Sequence, residues 1–339
     1  MTESFTRIKH LNSERQRNAN MSLKIVFMGT PDFAVPVLHA LNNNYNVVGV
    51  VTKADKPKGR GNKMTMCPVK EEAIRLGIPV LSPESVRTEE FAKELAALGA
   101  DIFVTTAYGK ILPENILKIP PMGCINVHAS ILPYYRGAAP LWRVVLNGEK
   151  ETGVTTMLTD VGMDTGDILL CEKMPIGENM TTGEVHDAMS TLGAKLIIKT
   201  LQGLEKGEIT PVSQDHKKAT YAPMVDREDG RIRWSEGKNK VHNTVRGCDP
   251  FPGAFSFLEG EKIKIWKTVI CRESEFSEKD DKKTAGTVLS SGAEGIVVST
   301  GDGAVKILEL QRESSKRMSA AAFLNGRKIE PGSVFKDED

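Results

Sequence analysis

The sequence predicts an α/β protein of two domains, in which a parallel sheet with a Rossmann-like order of elements precedes a small β-barrel. The chain has 339 residues, more than one typical domain, and 40% of them are apolar, which is enough for two cores. Strand-like and helix-like patterns alternate in the first part of the chain, as in βαβ units. After Gly207, short strand-like runs follow one another without long helices, as in a barrel.

The alternating elements lie in the first 207 residues. An apolar strand pattern at residues 24–28 is followed by a turn at 29–32, a helical stretch to about Leu41 and a second strand pattern at 46–52. This order predicts a parallel pair, because a crossover helix returns the chain in the same direction. The later elements are helices at 71–76, 89–98 and 183–204, and strands at 102–105 and 124–127.

The composition changes after Gly207. Residues 208–226 contain Pro211 and Pro223 among mixed polar residues, which favours an extended linker. Short alternating runs then predict the barrel strands, at 254–258, 263–266, 286–289, 295–299 and 304–310. We therefore expect a disordered or dispensable extension at 1–20, a first domain at 21–207, a linker at 208–226 and a barrel domain at 227–339.

Charge and cysteine spacing exclude several classes of protein. The chain has 45 basic and 44 acidic side chains, so any nucleic-acid contact must come from locally concentrated positive charge. The five cysteines form no Cys-x-x-Cys pair, which predicts reduced thiols in a cytoplasmic protein and no metal site. No apolar run reaches the about 20 residues that span a bilayer, and the N-terminus lacks the apolar core of a signal peptide.

Polar side chains interrupt an apolar strand at its end. Asn126 and His128 alternate with Ile125 and Val127, so both polar side chains lie on one face of the strand. Residues 130–133 then turn away at the sheet edge where open α/β folds bind ligands. An amide and an imidazole there can hold a tetrahedral oxyanion and move its proton. Taken alone, the pair also fits a strand end with a structural histidine.

A carboxylate follows about thirty residues later in the chain. Asp164 lies between Gly162 and Gly166, which alone is also an ordinary turn composition. Together, the Asn-x-His pair, the Ser-x-Leu-Pro turn and this Asp-x-Gly turn resemble the signature of the folate-dependent formyltransferases. The resemblance extends to residues 24–33, 107–113 and 135–140 and covers nearly all of the chain after residue 20.

The resemblance implies a reaction and a set of catalytic residues. In this family the formyl group of 10-formyltetrahydrofolate passes to an amine without a metal, and the segments are most similar to the branch that acts on initiator methionyl-tRNA in translation initiation. Asn126 would donate to the oxyanion, and His128 would donate to it or carry the proton. Asp164 would stabilise the protonated imidazole or position a water molecule. The resemblance also implies that the barrel at 227–339 is OB-like and binds tRNA.

The same resemblance implies where the folate co-substrate binds. Its residues are the turn Ser130, Ile131, Leu132 and Pro133 and, in the pterin pocket, Tyr108 and Gly109. Ile111 and Leu112 would add apolar walls that suit a flat pterin, although such side chains also fit an ordinary core.

A basic loop follows the second predicted strand. Residues 53–63 contain five basic side chains and one acidic side chain, and they match neither the dinucleotide fingerprint nor the Walker pattern. A solvated loop is one interpretation. The tRNA branch of the family has an inserted loop here that reaches the acceptor end of the tRNA, and the resemblance assigns this contact to Arg60, with Lys58 and Lys63 beside it.

Other functions remain to be compared with this one. Amino-sugar formyltransferases and the amino-terminal part of formyltetrahydrofolate dehydrogenase share the polar signature, but the chain length and the basic loop favour tRNA. A glycinamide ribonucleotide formyltransferase needs no second domain of this size. A catalytically silent RNA-binding protein with a barrel for single strands is an alternative of another class, and a nucleotide-dependent oxidoreductase would need the missing glycine fingerprint. We expect a monomer that binds no membrane.

Overall fold

The computed structural model describes residues 22–58, 63–272 and 284–338, which form two compact units. Unit 1 comprises the residues up to Pro140 together with Thr152–Met174 and His186–Ala222. Unit 2 comprises Leu141–Glu151, Pro175–Val185 and the residues from Pro223 onward. The domain limits expected from the sequence stay a prediction.

The alternation of strands and helices in the first part of the chain is present in the structure. Its elements are β1 (Lys24–Gly29), α1 (Val35–Asn44), β2 (Asn46–Val51), β3 (Lys56–Lys58), β4 (Lys63–Thr65), α2 (Pro68–Arg75), β5 (Val80–Leu81), α3 (Glu89–Ala97), β6 (Ile102–Thr106), α4 (Glu114–Leu117), β7 (Cys124–His128), α5 (Pro140–Leu146), β8 (Glu151–Leu158), β9 (Ile168–Pro175) and α6 (Thr182–Lys206).

Unit 1 is built on a seven-stranded sheet with the order β5-β2-β1-β6-β7-β8-β9. The strands from β5 to β7 pair in parallel, which confirms the Rossmann-like parallel sheet. β8 differs, since it pairs with β7 in the antiparallel direction and places Thr155 opposite His128. Buried threonines fill β8, and their polar character hides the strand from a hydrophobicity pattern although β-branched residues favour strands.

The centre of this sheet is covered on both faces. Ile25, Val26, Phe27 and Met28 of β1 are all fully buried, as parallel sheets require. Helix α3 covers part of one face with its buried residues Phe91 and Leu95. The helix begins after its N-cap residue Thr88, whose side chain accepts a hydrogen bond from the backbone N–H of Phe91. The central strands therefore form a rigid base, at whose edge the polar end of β7 lies.

Unit 2 contains an antiparallel sheet. Its strands are β10 (Ala254–Leu258), β11 (Glu261–Ile270), β12 (Val288–Gly292), β13 (Gly295–Thr300), β14 (Gly303–Arg312), β15 (Met318–Ser319) and β16 (Phe335–Lys336), with the helices α7 (Lys238–Gly247) and α8 (Ala320–Gly326). The order is β12-β13-β14-β11-β10-β16, with β15 paired to β14. An antiparallel bridge between Thr287 and Val334 joins the two ends of this order. The predicted OB-like barrel is thus confirmed.

The barrel encloses its own apolar core. Trp234 is 1% exposed, and its indole N–H donates to the hydroxyl of Ser256 at 2.8 Å, so its polar atom is satisfied inside the core. The strand patterns read from the sequence lie within or overlap the observed strands, whereas α7 and α8 were not predicted. No helix of the described part of the chain is long and apolar enough to cross a membrane.

We predict that Ile25→Ala destabilises unit 1 by about 2–5 kcal/mol, because it leaves a cavity under a fully buried strand. Urea unfolding followed by far-UV circular dichroism measures the loss, since the three tryptophans of the chain all lie in unit 2 and would not report it directly. Ile74→Ala, at a side chain that is 54% exposed, is the matched control. Equal effects of the two changes would contradict the assignment of Ile25 to the core.

Candidate active site

The polar end of β7 lies beside the end of β6. Thr105 is the register partner of Asn126, and the Thr105 hydroxyl donates to Oδ1 of Asn126 at 3.0 Å. With its oxygen occupied in this way, the Asn126 side chain turns its NH₂ group to the other side. Asn126 is half-buried, so this NH₂ group can serve as a donor to a bound molecule.

His128 is 6% exposed and is oriented by a backbone carbonyl. Its Nε2 lies 3.1 Å from the carbonyl oxygen of Tyr135, which can only accept, so Nε2 carries the proton of the neutral ring. Nδ1 is then the unprotonated nitrogen. It lies 3.7 Å from Oδ1 of Asp164, which is too long for a hydrogen bond but close enough for electrostatic stabilisation of a protonated ring.

Asp164 lies on the loop between β8 and β9, in a left-handed conformation with φ +55°. Its Oδ2 accepts a hydrogen bond from the backbone N–H of Gly137 at 2.8 Å, which fixes the carboxylate. The following glycine is required by space, since a Cβ on Gly166 would collide with the carbonyl oxygen of Leu158. The structure therefore brings together His128 and Asp164, which are far apart in sequence.

The turn after β7 is anchored from the neighbouring strand. The hydroxyl of Thr155 donates to the carbonyl of Ser130 at 2.7 Å and accepts from the N–H of Leu132 at 3.2 Å. The Ser130 hydroxyl donates to the Tyr134 carbonyl at 2.6 Å. Ser130 and Leu132 are buried, whereas Ile131 and Pro133 are half-buried. The turn thus has a defined shape with two partly accessible side chains.

Tyr108 and Gly109 follow β6 at the same edge of the sheet. Tyr108 is 3% exposed, its hydroxyl has no hydrogen-bond partner among the described residues, and burial raises its pKa to about 12. Gly109 has φ +74°, and a side chain there would collide with the ammonium group of Lys53. Of the apolar walls expected beside them, Leu112 is core, and Ile111 is 68% exposed.

The residues predicted to contact tRNA are only partly visible. Arg60 lies outside the described residues, as do the side chains of Lys58 and Lys63. Their strands β3 and β4 form an antiparallel pair in which Lys58 lies opposite Lys63. The basic loop of the sequence is therefore built on a hairpin.

Several groups of the site were missed in the sequence. They are Thr105, Thr155, Gln214 and the backbone of Tyr135 and Gly137, which orient the predicted residues. Thr105 had a signal, because it ends a strand predicted next to the strand of Asn126. Backbone groups carry no residue-type signal, so the contacts of Tyr135 and Gly137 could not be read from the sequence.

The described residues contain no group of three or more His, Cys, Asp or Glu side chains that could hold a metal ion. The five cysteines, all of which lie among the described residues, form no disulfide bond. Burial raises the pKa of the Cys124 thiol, below the site on β7, to about 12. This thiol is therefore protonated at neutral pH.

Comparison with protein families agrees with this fold. The family described as Formyl transferase matches residues 23–201, and its C-terminal domain matches residues 224–328. The chain therefore belongs to the formyltransferase family. This confirms the resemblance read from the polar signature, and the match of both parts fits an enzyme with two units.

Similar proteins locate the chain within that family. It is 49% identical to the methionyl-tRNA formyltransferase of Acetivibrio thermocellus, over 92% of this chain and 99% of that protein. It is 48% identical to the methionyl-tRNA formyltransferase of Ruminiclostridium cellulolyticum, over 91% and 98% of the two chains. Among solved structures, the sugar 3N-formyl transferase WlaRD, described with dTDP and 5-N-formyl-THF, shares the fold with a TM-score of 0.63, at 20% identity over 88% of this chain and all of its own.

We predict that Thr155→Val destabilises the protein by about 1–3 kcal/mol, because it leaves the carbonyl of Ser130 and the N–H of Leu132 buried without their shared partner. Thr155→Ser, which keeps the hydroxyl, is the matched control and should lose less. Chemical denaturation measures both variants. A valine variant as stable as the serine variant would show that the hydroxyl does not anchor the turn.

Proposed function

We propose that this protein transfers the formyl group of 10-formyltetrahydrofolate to the α-amino group of methionine on initiator methionyl-tRNA. The observation that carries the proposal is the pairing of His128 with Asp164 beside Asn126, in a chain that matches methionyl-tRNA formyltransferases over nearly their whole length. The polar signature alone would also fit a sugar acceptor. The near-full-length similarity to enzymes named for tRNA favours the tRNA acceptor.

Asn126 supplies the donor for the developing negative charge. Bound formylfolate supplies an electrophilic formyl carbon, and attack by an amine places negative charge on the formyl oxygen. The Asn126 NH₂ group donates to that oxygen, and Thr105 holds the amide so that the NH₂ group faces outward. Such a preorganised donor is worth about 10²–10³ in rate where it has been removed from other enzymes.

His128 takes up the proton that the amine loses. Its Nε2 is committed to the Tyr135 carbonyl, so Nδ1 is the nitrogen that accepts the proton. Asp164 then lies next to the protonated nitrogen and stabilises the imidazolium directly. This favours the first of the two roles left open for Asp164, because a water bridging atoms 3.7 Å apart would bind with a strongly bent geometry. The protonated ring can return the proton to the leaving nitrogen.

The folate lies along the turn formed by Ser130, Ile131, Leu132 and Pro133 in this proposal. The half-buried side chains of Ile131 and Pro133 support this placement, because they can offer apolar contact to a flat ring. Tyr108 and Gly109, which follow β6 at the same edge of the sheet, stay part of the proposed pocket. The residues therefore fit a pterin with apolar walls and a few polar contacts.

The tRNA contact is assigned to the β3–β4 hairpin, through Arg60 with Lys58 and Lys63. Concentrated positive charge suits the phosphates and splayed bases of an RNA end. Because the net charge of the chain is only +1, such a local concentration is needed. We further propose that the enzyme works as a monomer in the cytoplasm.

We predict that His128→Ala reduces formylation of charged initiator methionyl-tRNA by about 10²–10⁴-fold, because it removes the proton acceptor. The assay follows formyl transfer from 10-formyltetrahydrofolate and includes a nucleotide-linked amino sugar as a second acceptor. His39→Ala, at a partly exposed histidine paired with Glu72, is the matched control and should keep full activity. Formylation of the sugar alone, or of neither acceptor by the wild-type protein, would overturn the proposal.

We predict that Arg60→Ala raises the KM for methionyl-tRNA at least about tenfold, the effect of losing roughly 1.4 kcal/mol of binding, and leaves folate binding unchanged. Steady-state kinetics with tRNA and equilibrium binding of the folate separate the two effects. Arg75→Ala, at an exposed arginine of α2, is the control. An equal loss of tRNA and folate binding would contradict a tRNA-specific role.

A further inference from the structure

A mostly irregular segment of chain, with a short 3-10 helix at His216–Lys218, packs beside the site in unit 1. We call residues 214–222 the strap. Its backbone follows the turn after β7: the N–H of Arg136 donates to the carbonyl of Thr220 at 2.8 Å, and the N–H of Ala222 donates back to the carbonyl of Arg136 at 2.7 Å. Most of the strap is exposed, but Gln214 is 6% exposed and Ala222 is 1% exposed. The strap, which is part of unit 1, therefore attaches to the rest of that unit through a few buried groups.

Gln214 holds the loop of Asp164 with both hydrogens of its amide. Its Nε2 donates to the carbonyl of Asp164 at 2.9 Å and to the carbonyl of Gly166 at 2.7 Å. These two carbonyls belong to the left-handed residue Asp164 itself and to the second residue after it. A single neutral side chain thus ties the backbone of Asp164 and the residues that follow it to the strap.

Arg136 fixes which way the Gln214 amide points. The guanidinium is 2% exposed, and its Nε and Nη2 donate to Oε1 of Gln214 at 3.1 and 2.5 Å. Nη2 also lies 3.0 Å from Nδ1 of His216, which accepts with its lone pair. Because the oxygen of Gln214 must face the guanidinium, its nitrogen must face the two carbonyls.

The strap also contacts the backbone that orients His128, the partner of Asp164. The hydroxyl of Thr220 accepts from the N–H of Tyr135 at 2.9 Å, and Tyr135 has the unusual φ of +58°. The carbonyl oxygen of Tyr135 accepts the hydrogen bond from the N–H at Nε2 of His128. Non-glycine residues in left-handed backbone persist where surrounding contacts hold them. The strap supplies such contacts for both Tyr135 and Asp164.

From this geometry we infer that Gln214 is a positioning residue, which sets the distance between the Asp164 carboxylate and Nδ1 of His128 through the backbone of the Asp164 turn. The inference rests on the proposed function, in which that distance governs stabilisation of the imidazolium. Gln214 itself touches neither substrate nor proton. It acts through Asp164, and Arg136 acts through Gln214.

The variant that tests this is Gln214→Glu, with Gln202→Glu on the exposed face of α6 as the matched control. Glutamate keeps the size and the contact with Arg136, but it replaces both N–H donors with an oxygen that faces two carbonyls. We expect kcat to fall about 10- to 100-fold, since a displacement of about 1 Å can cost about 10²-fold, while the KM values for folate and tRNA change less than about threefold. The control should match the wild-type protein.

Two readouts separate positioning from simple structural damage. In the Asp164→Asn background, Gln214→Glu should cost less than about threefold in kcat, because the carboxylate it positions is gone. The loss should also fall on kcat alone, because the substrates still bind while the carboxylate is displaced. Loss of melting temperature with kcat and both KM values altered together, or equal losses in both backgrounds, would overturn the inference.

Failure of the inference is distinguishable from failure of the proposed function. If the wild-type protein does not formylate methionyl-tRNA, the proposed function is refuted. If the wild-type protein is active and the Gln214→Glu variant has the same kcat, only the positioning role is refuted. If Gln214→Glu does not fold, Gln214→Met, which lacks the charge, takes its place in the same assays. If neither variant folds, Gln214 serves stability alone and the inference is overturned.

Discussion

The hydrogen bond from Nε2 of His128 to the carbonyl of Tyr135 is the constraint on which the rest of the site depends. It fixes the neutral ring in one tautomer and leaves Nδ1 facing Asp164. Tyr135 holds an unusual backbone conformation, and it belongs to a turn anchored by Thr155 on one side and Thr220 on the other. The chemistry of one imidazole is therefore set by backbone geometry.

Most of the contacts that shape this site are neutral. The hydroxyl of Thr105, the carbonyl of Tyr135, the N–H of Gly137 and the amide of Gln214 orient their partners without titrating near neutral pH. Neutral dipoles that are already in place need no reorganisation when charge develops. In the proposed reaction, His128 and Asp164 are thus the groups that take up the proton and stabilise the resulting charge.

Sequence reasoning succeeded where local patterns suffice and failed where contacts are long-range. Period two placed Asn126 and His128 on one face of a strand, and apolar runs predicted β1, β2 and β6. Strand β8 was not predicted, because its buried threonine hydroxyls resemble a polar surface in the sequence. The role of Gln214 was not predicted, because it lies 50 residues from Asp164 and binds backbone carbonyls, which every residue has. Its burial was not predicted either, because residues 208–226 were interpreted as a linker.

The shared fold also limits what the site can explain about the choice of acceptor. A sugar formyl transferase has the same fold at 20% identity, so the fold is compatible with more than one acceptor. A proton acceptor and an oxyanion donor act on the reacting atoms and not on the remote part of the acceptor. Discrimination among amines must therefore come from binding energy far from the formyl carbon. Under the proposed function, the basic residues at 53–63 would supply part of that binding energy.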